Sequence, residues 1–383
     1  MSRIAVKPEL IRWARERAGL TESALVERFP KYMEWEIGRS HPTLRQLEGL
    51  AKKTMTPFGY FFLPEPPEEQ LPIPDFRTLR DRLVRRPSPN LLETIHTMQM
   101  RQDWMRDYLI EQGANPFPFV GSVTLESSPF EAARRIRETV GMTSGWAREH
   151  PTWTAALLGL RRSVEAIGVI VVINGVVGNN NTRKLDPEEF RGFVLCDSYA
   201  PLIFINGADF KSAQMFTLAH ELAHLWLGRD GVFDLPDLQP GTSDVERYCD
   251  AVAAEVLIPS REMQEFWRGL AQMAAPFQTV ASRFKVSPIV AARRALDLHL
   301  IGRNEFFSFL QSQEENEKRK AAAQKSGGDF YLTQEIRIGR RFGEAVIRSA
   351  REGRLLYRDA YRLTGLSGET FNRFAKGLGF GIP

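Results

Sequence analysis

Two histidines four residues apart, His220 and His224, stand in the run Thr217-Leu-Ala-His-Glu-Leu-Ala-His-Leu-Trp-Leu-Gly228, with Glu221 directly after the first. On a helix, positions i and i+4 lie one above the other, so both imidazoles can offer a nitrogen to one ion. Glu221 projects about 100° round the helix from His220, which suits a base beside the ion and not a ligand to it. Leu218, Ala219, Leu222, Ala223, Leu225 and Trp226 surround the three polar residues with apolar bulk, as a buried active-site helix requires. The competing reading is a pair of core histidines on a buried helix.

A catalytic zinc takes three protein ligands and keeps one position open. Downstream, Ser243-Asp-Val-Glu246-Arg-Tyr-Cys-Asp250 places Glu246 and Asp250 four apart on one helix face. Glu246 would complete a His2Glu set for Zn2+. Asp250 would accept the second ring N–H of a ligand histidine and fix its tautomer. Glu246 has a competing use, closing a capping box with Ser243. Glu255 is a weaker ligand candidate. Tyr248 sits two residues from Glu246 and points off that face, so no oxyanion donor is identified. The set implies zinc-assisted peptide hydrolysis, with Glu221 taking a proton from water and returning it to the leaving amine.

The elements that must position these groups read as α+β, mostly helical. Val169-Ile-Val-Val-Ile173, Gly192-Phe-Val-Leu-Cys196 and Leu202-Ile-Phe-Ile205 are β-branched or apolar runs, hence buried strands of a small sheet, with Asp197 to Ala200 as a turn. Helices are expected at 130–140, 152–167, 210–228, 244–257, 261–270, 276–284 and 287–299. Residues 1–63 read as four or five short helices, with a capping box at Thr43-Leu-Arg-Gln46. Prolines 64, 66, 67, 72 and 74 mark a semi-rigid connector. A polar, mostly charged helix follows at 90–112. This gives five segments: 1–63, a connector and helix at 64–128, a domain at 129–300, a charged linker at 301–328 closed by Ser326-Gly-Gly328, and a C-terminal helical module at 329–383.

The runs Phe216-Thr-Leu-Ala-His-Glu-Leu-Ala-His224 and Glu246-x-x-x-Asp250-Ala-x-Ala-Ala-Glu-x-Leu-Ile-Pro259 resemble the ImmA/IrrE family of zinc metallopeptidases. So do Asn180 to Phe193, Ala200-Pro-Leu-Ile-Phe-Ile-Asn206 and Phe284-Lys-Val-Ser-Pro-Ile-Val-Ala-Ala-Arg-Arg294, and the resemblance covers residues 129–300. It implies a zincin-like domain and a protein substrate: a repressor or antitoxin-like regulator whose cleavage switches on transcription. The family usually has Asn where this chain has Asp250, and Asp is the better partner for an imidazole N–H. Ile11-Arg-Trp-Ala-Arg-Glu-Arg-Ala-Gly-Leu20, with Trp35-Glu36-x-Gly38-Arg39-x-x-Pro42-Thr43-Leu44, is similar to the Cro/repressor-type (XRE) helix-turn-helix. Only Pro30 to Glu34 separate the second helix from Trp35-Glu36, so the recognition helix is short of the two turns a major groove needs.

Charge leaves the nucleic-acid question open. The 383 residues carry 51 Lys+Arg against 47 Asp+Glu, a net +4. Residues 1–63 hold 11 basic and 7 acidic side chains, so duplex DNA contact and a helical docking role both stand. Arg293 and Arg294, in a second helix-turn-helix-like pair at 276–299, read as a solvated helix face rather than as phosphate contacts. The C-terminal arginines 337, 340, 341, 348, 351 and 354 alternate with Glu335, Glu344 and Glu352, which fits nucleic acid or a protein partner equally. Cys196 and Cys249 cannot form a disulfide framework and read as small buried hydrophobes in a reducing cytosol. The longest apolar stretch, Gly168 to Val177, is too short to span a bilayer. A cytoplasmic regulator with a vestigial peptidase fold, binding DNA without catalysis, is the alternative to the enzyme. Oligomeric state cannot be read from the sequence.

Overall fold

The computed structural model describes residues 3–74, 87–233, 243–270, 273–321 and 330–381. The chain divides into two compact units, Met1–Pro72 with Asp81–His96, and Ile73–Arg80 with Thr97–Pro383.

In the first unit, Pro8–Arg17, Glu22–Val26, Tyr32–Glu36 and Leu44–Lys53 are helices. Leu10, Ile11, Leu25, Trp35, Leu47 and Leu50 close its core. The expected capping box forms: Gln46 N–H donates to the Thr43 hydroxyl, and Thr43 N–H donates to Gln46 Oε1. The helix Tyr32–Glu36 is only five residues long. Its Glu36 is buried and turns inward to Arg12 and Arg15. Burial pushes the Glu36 carboxyl up, but the Arg15 guanidinium outweighs it and holds the group below the usual range. Part of the proline-rich stretch folds back on this unit, with Arg17 Nη2 donating to Glu69 Oε1 at 2.8 Å.

The second unit is built on a mixed sheet. Its strands are β1 (Ile170–Asn174), β4 (Gly192–Leu195), β5 (Leu202–Asn206) and β6 (Gly231–Phe233), and β2 (Val176–Val177) and β3 (Asn180–Lys184) form a separate hairpin. The order is β1-β5-β4-β6. β1 runs parallel to β5, from Ile170 opposite Leu202 to Asn174 opposite Asn206, and the other two pairings are antiparallel. Every residue of β1, β4 and β5 is buried, which is why these strands read as continuous apolar runs. Val194, Ile203 and Ile205 join the helical core. Phe193 and Phe204 alternate to the other side and stack at 4.9 Å. The expected turn is an Asx turn, Asp197 Oδ1 accepting from the Tyr199 and Ala200 amides at 2.8 Å. The hairpin and β6 were not expected. Asn180–Lys184 has no apolar alternation, and a three-residue strand is too short to show a period.

The expectation of a polar, charged helix at 90–112 needs correcting. Within the helix Pro89–Glu111, Arg101, Gln102, Met105 and Leu109 are buried. Gln102 Nε2 donates to the carbonyls of Leu195 and Ala200, clamping the β4–β5 turn. Arg101 donates through Nε to Leu363 O at 2.9 Å, through Nη1 to Arg337 O at 3.1 Å and through Nη2 to Thr364 O at 3.4 Å. A guanidinium at a helix C-terminus complements the partial negative charge there. Its complete burial lowers the pKa to about 10. The helices Phe330–Ile338, Arg340–Arg351, Tyr357–Thr364 and Gly368–Gly377 belong to this same unit. Gly339 lies against β1, where a Cβ would sit 3.4 Å from Ile170 Cγ2. The charged run after Ser312 continues the helix Arg303–Ala321, and Ser326-Gly-Gly328 falls outside the described residues. Among the described residues, no helix is long and apolar enough to cross a membrane.

Replacing Arg101 by Met keeps the apolar stem but leaves three buried carbonyls without their donor. Unfolding in urea should then show a loss of about 3 kcal/mol, the scale of removing charged hydrogen bonds from a buried site.

Candidate active site

The helix Lys211–Leu227 runs unbroken through the histidine motif and ends at Gly228, whose φ of 67° makes a left-handed cap. Every residue from Gln214 to Leu227 is buried. Such close packing against the sheet needs a glycine at 192. A Cβ there would lie 2.5 Å from Thr217 Cγ2, 2.9 Å from Phe204 O and 3.0 Å from Glu221 Oε1. The missing side chain is the space that the Glu221 carboxylate uses.

The helix Asp244–Leu257 packs across the first. Its start shows which part of Glu246 the cap uses. Ser243 Oγ accepts from the Glu246 backbone amide at 3.1 Å. The cap therefore uses the Glu246 main chain and leaves its carboxylate free to turn toward the histidines. Glu246 Oε2 lies 3.1 Å from His220 Nε2, and Oε1 lies 3.2 Å from His224 Nε2. The two Nε2 atoms are 3.0 Å apart. On the far side of the ring, His220 Nδ1 donates to Asp250 Oδ1 at 3.0 Å, which turns Nε2 toward the cluster. His220, His224 and Glu246 are each at most 2% exposed.

This cluster fits a bound cation. Two imidazole nitrogens and a carboxylate converge on one point from two helices. Beside them, both Glu221 oxygens are buried with no hydrogen-bond partner among the described residues. The chemistry of the donors, two nitrogens and a carboxylate, suits a borderline-soft divalent ion. Cys249 is the residue that sequence reasoning missed. It was read as a small hydrophobe, yet its thiol lies within 4.8 Å of a ring nitrogen of each histidine. Its spacing of three from Glu246 was the available signal, because i and i+3 share a helix face. The Glu246 oxygens lie 3.1 and 3.2 Å from the two Nε2 atoms and supply the carboxylate of the set.

Burial and charge set the protonation states. Burial pushes His220 down, but the Glu246 charge and the Asp250 hydrogen bond overcome it and raise the pKa to about 10. Burial works against ionised Glu246, but the His220 charge holds its pKa near about 2. For His224 burial prevails and the pKa falls. Glu221 is pushed well above the carboxylate range by burial, despite the nearby His220. Cys249 is likewise raised by burial.

Two other expectations resolve differently. Glu255 is not near the cluster's work. It accepts from the Ser260 amide and hydroxyl and pairs with Arg294, whose Nε also donates to Ile258 O. Arg294 is therefore a buried tie between helices and not part of a solvated face. Its neighbour Arg293 pairs with Asp297.

Comparison with protein-family models matches residues 165–296 to the IrrE N-terminal-like domain, a peptidase family, and residues 338–377 to a domain of unknown function. The first match spans all six strands and both site helices. No curated protein matches the chain. The chain is thus similar to a metallopeptidase-type domain over the region that carries the cluster.

Two outcomes follow from this geometry. In equilibrium dialysis against a divalent ion, Glu246→Gln should lose the metal, Cys249→Ser should keep it, and Asp250→Asn should weaken it about 10–100-fold. Because His220 must give up a proton to bind an ion, affinity should rise with pH. Below its pKa of about 10, each unit should tighten binding about tenfold, read by competition with a chelator dye.

Proposed function

We propose that the protein is a zinc-dependent endopeptidase acting on a repressor or antitoxin-like protein, and so coupled to transcriptional regulation. The observation that supports this reading most is the convergence of His220 Nε2, His224 Nε2 and the Glu246 carboxylate, with buried Glu221 on the adjoining helix position. His220, His224 and Glu246 would hold Zn2+. Bound there, the ion supplies Lewis acidity toward a peptide carbonyl and makes a water easier to deprotonate.

The chain's own residues do the rest. Asp250 holds the His220 ring in the tautomer that presents Nε2. Glu221 accepts the proton from the attacking water and donates it to the leaving amine. Burial raises its pKa, which favours the proton-carrying form that returns the proton to the amine. The apolar walls around the helix keep bulk water from the cluster. A vestigial fold would have no reason to keep Glu221 buried and aligned beside two histidines.

The regulatory part rests on the resemblance. Residues 1–63 suit docking of a protein partner better than reading of an operator, since the helix Tyr32–Glu36 is short and sends Glu36 inward. The two free cysteines fit a reducing compartment.

The test is co-expression with small regulators encoded beside the gene, followed by blotting for cleavage products. Wild type should cut one of them. Glu221→Gln, which keeps shape but cannot accept a proton, should retain zinc while cleavage falls by about 10²–10⁴. Undiminished cleavage by that variant removes Glu221 from the mechanism, and no cleavage by the wild type rejects the enzyme.

A further inference from the structure

The segment matched at 338–377 has no chemistry attached to it, and its build is specific. The helix Tyr357–Thr364 ends at Gly365, whose φ of 70° and ψ of 13° are left-handed. Leu366 and Ser367 complete a three-residue turn into the helix Gly368–Gly377. Ala360, Thr364, Leu366, Phe371 and Phe374 are buried, and Tyr361 meets Phe371 edge to face at 5.3 Å. A third helix backs the pair: in Arg340–Arg351, a Cβ on Gly343 would lie 2.8 Å from Phe374. Two short helices joined through a left-handed glycine and packed at these spacings make a helix-turn-helix.

The face turned away from that core is exposed and polar. Glu369, Asn372, Arg373 and Lys376 recur at helical spacing along one outward stripe of Gly368–Gly377. Arg373 Nε donates to Glu369 Oε1 at 2.8 Å. Ser367 stands exposed at the N-cap, and its hydroxyl makes no capping bond. Residues 338–377 carry nine Lys/Arg against four Asp/Glu. Arg348, Arg362 and Lys376 are exposed and join no ion pair among the described residues. An excess of free cation on the face that a helix-turn-helix presents outward complements a phosphate backbone.

The geometry points to a duplex-DNA-binding helix-turn-helix at residues 340–377. The helix Gly368–Gly377 enters the major groove, and Arg362 and Lys376 lie against phosphates. The assignment stands apart from the peptidase reading. The DNA-facing turn is tied to the β2–β3 hairpin, because Asn179 between those strands donates to Gly365 O at 2.8 Å.

The experiment titrates the full chain into a short fluorescent random duplex and follows anisotropy between about 50 and 200 mM salt. Binding should appear at low salt and fall steeply as salt rises. The double variant Arg362→Glu/Lys376→Glu should bind at least about tenfold more weakly, while Arg39→Glu/Arg45→Glu in residues 1–63 should bind as wild type. Circular dichroism and metal content check that each variant folds. If the double reversal unfolds, the milder Lys376→Gln should still lower the salt slope by about one. No binding at low salt overturns the proposal, as does binding that is lost only in the residue 1–63 variant. Retained DNA affinity with loss of a co-purifying protein would assign the face to protein docking and overturn it too.

Discussion

Four ionisable side chains, His220, Glu221, His224 and Glu246, sit together in the interior with at most 2% of any of them exposed. Charges taken out of water cost several kcal/mol each unless they are paired or bind an ion. That constraint explains the surrounding architecture. The sheet and the helix packed on it supply a dry wall. Gly192 supplies room for one carboxylate, Ser243 takes over the capping task that would have tied down another, and Asp250 orients the ring between them.

The unit also handles charge away from the site by burying arginines against fixed acceptors. Arg294 bridges Glu255 and the Ile258 carbonyl. Arg161 pairs with Glu165 and reaches the Glu335 carbonyl. Buried pairs of this kind add little net stability but are costly to break, so they fix which helix meets which. The outer helices are thereby locked in register around the sheet, and the site inherits that rigidity.

The candidate cluster was legible in the sequence because it depends on spacing within single helices. His220 to His224 and Glu246 to Asp250 each span one turn, and a helical period carries that information directly. The buried strands were legible for a similar reason, being unbroken apolar runs. What depended on contacts between distant segments was not. Nothing local distinguishes Arg294 from its solvated neighbour Arg293, and nothing near Arg101 announces that it will be buried. Cys249 lay between the two, spaced to share a face with Glu246 yet chemically ambiguous. β6 and the β2–β3 hairpin are held by their neighbours and by chain reversal, and neither has an apolar pattern of its own.

The Arg101 contacts have a consequence for how the protein comes into being. Its carbonyl partners at Leu363 and Thr364 lie more than 260 residues further along the chain. Ribosomes extend a chain by about 5–20 residues per second, so roughly 15–50 s separate the guanidinium from the acceptors that let it be buried. Once Ala200 has been made, the Gln102 clamp on the β4–β5 turn can form, while the next-door arginine still lacks its acceptors. Both histidines are translated within the same window. The buried site of Arg101 is therefore completed only when the last helices have been made.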